Sequence, residues 1–351
     1  MVLWSLARLP KSPKYRYLLF LIISMIMIIT GYYGYSFWRY AHQPMLADGQ
    51  PATVFIFRPG TSVRQLALQL QQQPVKIYPR KFVFLAGLKG KIKSLKAGEY
   101  AIDQTTTPSQ LLENLALARV VQHRFTIVEG WTFQQLRQAL DQALSLKHSL
   151  QGLNDAAVMQ QLGYPNQHPE GQFYPDTYQF ILGMTDKAIL QRAYQRMQTQ
   201  LQRAWQQRSS GLDYQTPYQA LIVASLVEKE SALSKERQII AGVILARLKR
   251  NMRLQIDPTV IYGLQQNYTG KLTKNDLRRD TPYNTYLHKG LPPTPIAMPG
   301  LTSIQAALQP ELTSYLYFVS KGDGSHYFSE TLSEQNQAIK KYLSQINKEA
   351  P

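Results

Sequence analysis

Two glutamates, Glu228 and Glu230, stand two positions apart in the otherwise apolar run LIVASLVEKESAL, Leu221 to Leu233. Residues at that separation do not share a helix face. At 100° per residue from Ala220, Val223, Ala224, Leu226 and Val227 gather on one side. Ser225, Glu228 and Lys229 fall on the other, which Leu221 and Ile222 blur. Glu230 follows Val227, Leu226 and Val223 at helical spacing, in the middle of the apolar stripe. The wheel predicts Glu228 as a solvated surface residue and Glu230 as turned inward. An inward carboxylate is costly unless paired or neutral, and burial raises its pKa. A carboxylic acid kept protonated near neutral pH is what general-acid chemistry requires. The other open reading is structural: Glu230 pairs with a buried arginine such as Arg247, or sits at a fraying helix end.

Other residues could share that chemistry. Asp257-Pro258-Thr259 has the look of a helix cap with proline in the first turn, which explains Asp257 adequately, a second carboxylate being the alternative role. The loop Glu170-Gly171-Gln172-Phe173-Tyr174-Pro175-Asp176-Thr177-Tyr178 interleaves aromatics with Glu170 and Asp176, which suits a sugar groove or an ordinary packed loop. Tyr262, and Asn284 and Tyr286 in the YNTY run, are candidates for orienting a sugar or Glu230. The proline-rich run GLPPTPIAMPG, Gly290 to Gly300, is a stiff loop that could shape a groove. There is no phosphate-binding glycine loop and no H-E-x-x-H pair, and the six histidines are scattered, so neither metal nor cofactor is expected.

These residues need a frame. The 351-residue chain is 44% hydrophobic and has no cysteine. That excludes disulfides, zinc thiolates and a cysteine nucleophile. Its formal charge of +17 suits an acidic polymer or anionic lipid. Nucleic acid is disfavoured, because the excess is spread along the chain and no binding module is recognisable. Tyr17 to Trp38 carries no charge and, as a helix, would reach about 33 Å, enough for a bilayer core. Arg8, Lys11, Lys14 and Arg16 precede it, which predicts a cytoplasmic N-terminus. The long core and the bulky aromatics after it argue against a cleaved signal peptide.

The expected fold is α+β. A cytoplasmic tail (1–16), a transmembrane helix (17–38) and a linker (39–50) lead to a small α/β module (51–124) and a larger, mainly helical α+β domain (125–347). Three times a Ser- or Thr-bearing turn opens an amphipathic helix: at VRQLALQL, PSQLLENLALA and FQQLRQAL. MRLQI, before Asp257, alternates like a strand, KGDGS reads as a hairpin, and Ser333 to Ile346 as a closing helix.

Taken in order, ASLVEKES, LQIDPTVIYGL, YNTY, GLPPTPIAMPG, EGQFYPDTY and YLYFV with KGDGSHYF resemble the membrane-anchored endolytic murein transglycosylases, the YceG-like proteins. The set covers most of Glu129 to Leu343. The resemblance implies cleavage of the β-1,4 bond between MurNAc and GlcNAc in peptidoglycan, leaving 1,6-anhydro-MurNAc ends. It implies a lysozyme-like active-site logic in which the second Glu of E-K-E-[ST], Glu230, is catalytic. Glu230-Ser231 also resembles the catalytic pair of other lytic transglycosylases. PGTSVRQLALQL and LKAGEY resemble a LysM-like domain. The implied setting is the inner membrane with a periplasmic catalytic domain, acting on glycan strands, with peptidoglycan synthases as the expected neighbours. Two rivals remain: a muramidase using water with Asp257 or Asp176, and a glycan-binding scaffold.

Overall fold

The computed structural model describes residues 13–349, Ala232 excepted. The chain divides into two compact units, Met1–Gln122 and His123–Pro351.

The first unit begins with α1 (Pro13–His42), whose stretch Arg16–His42 is long and apolar enough to cross a membrane. Its side chains from Tyr17 to Ile29 are largely exposed, as a lipid-facing helix requires. There follow β1 (Thr53–Phe57), α2 (Val63–Gln71), α3 (Pro79–Leu88), β2 (Gly98–Ile102) and α4 (Pro108–Ala116). The strands pair antiparallel with Phe55 opposite Tyr100. Their inward side chains meet Leu66, Leu70, Phe82, Leu111 and Leu115 in one core. Within the stretch 39–50, Ala41, Met45 and Leu46 are buried in that core. Ser62 and Gln65 form a capping box at α2, and Thr107 and Gln110 form another at α4.

The second unit opens with β3 (His123–Thr126) and α5 (Phe133–Asp141), the latter capped by a third box, Thr132 with Gln135. Then come α6 (Asp155–Leu162), β4 (Thr177–Phe180), antiparallel to β3, and α7 (Asp186–Gln206). Next are α8 (Pro217–Glu230), α9 (Ser234–Lys249), α10 (Asp257–Leu264), α11 (Leu301–Leu308), the hairpin β5 (Tyr317–Ser320) and β6 (His326–Ser329), and α12 (Leu332–Glu349). The main core gathers α8, α9 and α11 around Leu226, Val227, Ile240, Ile244 and Ile304. MRLQI is not a strand. Gln255 has φ 52°, which breaks an extended run. Leu254 and Ile256 are buried as anchors on either side of it.

Candidate active site

Thr216 caps the start of α8, Pro217 occupies its first turn, and the helix ends on Glu230. Ser231 then turns extended (φ −136°, ψ 126°) and stops it. Glu230 stays partly accessible, yet burial pushes its carboxyl up to about 8. The Asp257 charge adds to the rise and Arg247 opposes it. Burial and the neighbouring charge of Asp257 both favour its protonated form near neutral pH.

Arg247 does not neutralise Glu230 by a direct pair among the described residues. Its Nε donates to Leu316 O at 2.6 Å and its Nη1 to Leu254 O at 2.6 Å, with Arg253 O and Gln255 Oε1 further off. The guanidinium thus staples the 253–255 turn and the approach to β5, and acts on Glu230 through its field alone. Asp257 is not a cap. It is the first residue of α10, the capping position is Ile256, and no side-chain cap is made. Asp257 Oδ1 instead accepts from the Tyr286 hydroxyl at 2.5 Å. Burial raises the Tyr286 hydroxyl, and its bond to Asp257 and the charge of Glu230 raise it further. Glu230, Asp257, Tyr286 and Arg247 therefore form one electrostatic cluster drawn from α8, α10, the YNTY loop and α9.

Glu228 is not solvated surface. Its side chain is 5% exposed and ion-paired to Arg237 at 3.1 Å. Its Oε2 also accepts from Gly300 N at 2.9 Å. Ser225, expected on the same polar side, is fully buried and accepts from Ile296 N at 3.0 Å. The polar stripe of α8 is thus covered by the proline-rich loop and hydrogen-bonded to its backbone. Arg237 also donates to Thr302 Oγ1 and, through Nε, to Ser231 O at 3.3 Å. It therefore grips the chain on both sides of Glu230. Glu129 joins this group: burial raises its carboxyl, Glu228 raises it further, and Arg237 opposes both. The sequence reading did not single out Arg237 or Glu129.

The other expected residues divide. Ser231 is buried, and its hydroxyl accepts from Leu233 N at 3.1 Å to shape the turn after α8. Asn284 is fully buried; its Nδ2 donates to Leu277 O and Arg279 O, and its Oδ1 accepts from Tyr286 N at 2.9 Å. It fixes the loop that presents Tyr286. Tyr262 donates instead to Glu170 Oε2 at 3.0 Å. Glu170 is 3% exposed, takes both its oxygens to Phe133 N at the start of α5, and is pushed up to about 7 by burial. That pair borders a separate cleft of about 590 Å³ reached by Arg137, Gln265 and Tyr268. Asp176 is ion-paired to Arg196 at 2.5 Å, and the same guanidinium lies 5.3 Å from the Tyr174 ring centroid.

The arrangement sets a carboxyl that burial biases toward its protonated form beside an exposed second carboxylate that a tyrosine hydroxyl holds. The sequence model of the YceG-like family matches residues 55–341, and the chain belongs to that family. A Bacillus subtilis (strain 168) protein named endolytic murein transglycosylase is 31% identical over 343 residues, 92% of each chain. A protein of the same name from Streptococcus pneumoniae serotype 2 is 26% identical, with 93% of this chain matched to 64% of the longer relative. The crystal structure of a yceG-like protein from Listeria monocytogenes superposes with TM-score 0.52 at 28% identity, covering 82% of this chain and 99% of that one.

Proposed function

We propose that this chain is an endolytic murein transglycosylase, as its relatives are named, and that Glu230 is its acid and then its base. The observation that carries the reading is the placing of the Glu230 carboxyl at the end of α8, where burial and the charge of Asp257, itself held by Tyr286, push it up to about 8. Protonated, it donates to the oxygen bridging MurNAc and GlcNAc as that bond breaks. Positive charge develops at the anomeric carbon of MurNAc. Glu230, now a carboxylate, takes the proton of the same sugar's 6-hydroxyl, whose oxygen bonds to that carbon. The product is a 1,6-anhydro-MurNAc end, and no water is consumed. Asp257, exposed and held by Tyr286, supplies negative charge near the forming cation. Asn284 acts as a positioning residue through Tyr286.

In this reading α1 anchors the protein in the inner membrane with residues 1–16 in the cytoplasm, and the catalytic domain (125–347) lies in the periplasm. Residues 51–124 act as a LysM-like module on glycan, beside the synthases that make the strands. The placement of Asp257 favours one rival, a muramidase in which that carboxylate activates a water. Purified sacculi digested with the full chain separate the two, by mass analysis of the released ends. Anhydro ends that vanish in Glu230→Gln are expected. Reducing ends would establish the water-using reaction instead, and unaltered release by Glu230→Gln would remove Glu230 from the chemistry.

A further inference from the structure

The outward faces of α2 and α3 carry large apolar side chains that the core of the first unit does not use. Phe84 is 60% exposed, Tyr78 59%, Leu88 64% and Leu68 45%. Phe84 and Leu88 lie one helical turn apart on the same side of α3. Leu68, Tyr78 and Phe84 border one shallow concavity with Arg64, Arg80 and Lys81. An apolar patch of this kind, rimmed by cations, marks an interaction surface.

The depth of the patch is fixed by α1. The Phe84 ring lies 5.2 Å from that of Phe37, edge to face. The Tyr78 ring lies 5.6 Å from that of Tyr40, and Lys81 Nζ sits over both tyrosines at 5.3 and 5.6 Å. Phe37 and Tyr40 flank Trp38, where the charge-free stretch of α1 ends. The burial of Tyr40, Ala41, Met45 and Leu46 ties this end of α1 to the module. With α1 as a membrane span, the patch would stand at the level where α1 passes from hydrocarbon to headgroups. That is the layer in which aromatic rings are favoured and in which Lys and Arg reach phosphates while their stems stay in apolar surroundings.

We propose that the outer faces of α2 and α3 are a membrane-surface platform, bedded in the headgroup layer of the same bilayer that α1 crosses. Leu68, Tyr78, Phe84 and Leu88 enter the apolar side of the layer, and Arg64, Arg80 and Lys81 meet anionic lipid phosphate. The proposal rests on α1 as a membrane span. It gives the anchor a fixed angle to the module, which a lone helix on a flexible linker would lack.

The chain has no cysteine, so single labels are directly placed. The full chain is reconstituted in lipid nanodiscs with a polarity-sensitive dye at Leu88→Cys. Parallel labels sit at Ile26→Cys within α1 and at Ile56→Cys, which points outward from β1 across the core from α2 and α3. Quenching is read from a nitroxide lipid labelled near the headgroup. A blue-shifted dye at 88, quenched several-fold more than at 56, is expected. Reversal of the three cations (Arg64→Glu, Arg80→Glu, Lys81→Glu) should reduce that quenching in discs containing phosphatidylglycerol and leave it unchanged in pure phosphatidylcholine. A dye at 88 as water-exposed as at 56, with the dye at 26 quenched, would overturn the platform and leave the face to a protein partner. A dye at 26 in water would instead overturn the span on which the platform rests. Quenching insensitive to charge reversal in anionic discs would overturn the phosphate contacts.

Discussion

The Glu230 carboxyl should cost the fold stability in a way that pH reveals. Its proton leaves the folded protein near pH 8, against an ordinary value of 4.5. Between those values the folded chain binds a proton that the unfolded chain has released, so stability falls as pH rises. The loss is about 1.4 kcal/mol for each pH unit crossed, about 3 kcal/mol at pH 7 and on the order of 5 kcal/mol above pH 8. Glu230 keeps some contact with solvent, so these are upper figures. Glu230→Gln removes the titration and keeps the shape. The variant should therefore be as stable as the parent near pH 4.5, apart from a constant offset for the amide, and progressively more stable from there to pH 8. Glu170, held up to about 7, titrates in both proteins and cancels in the difference. Urea unfolding in detergent micelles at pH 5, 7 and 9, followed by tryptophan emission, reads the effect. Parallel stability curves would refute the burial of this carboxyl, and with it the reason for Glu230 to serve as an acid at neutral pH.

Two further expectations concern its neighbours. Asp257→Asn removes the like charge that helps raise Glu230. The alkaline limb of the pH–rate profile should move to lower pH, but by less than burial alone has raised it, because burial is the larger cause. Complete loss of sacculus cleavage at every pH would instead make Asp257 an essential base, as in a muramidase. Arg237→Ala strands Glu228, whose side chain is 5% exposed, and breaking such a buried pair costs about 3–5 kcal/mol. Arg237→Ala with Glu228→Gln should recover much of that loss in a urea titration. No recovery would mean that Arg237 acts through Ser231 O and Thr302 rather than through the carboxylate.

How much of this was legible beforehand depended on how far away the deciding partner lay. The three helix starts at Ser62, Thr107 and Thr132 were readable because each capping box closes within three residues. Glu230 stood next to the apolar residues of its helix in sequence, but α8 is buried on every side from Ala220 to Val227, so the stripe alone could not set the two glutamates apart. Glu228 was misread by the same wheel, since a wheel knows only one helix. Its fate is set by Arg237 nine residues on and by the Gly300 amide seventy-two residues on. Asp257 followed the same rule: Asp-Pro-Thr satisfies the local grammar of a cap, and only the Tyr286 hydroxyl, twenty-nine residues later, assigns the carboxylate elsewhere. MRLQI alternates because Leu254 and Ile256 both reach the core, and burial alone cannot tell a strand from a bend held by Arg247 at its carbonyls. A carboxylate with no local partner thus has two opposite meanings in sequence. Glu228 finds a cation and becomes structural. Glu230 meets the like charge of Asp257 and a guanidinium already committed to carbonyls, which favours its protonated form, the state that the proposed acid step requires.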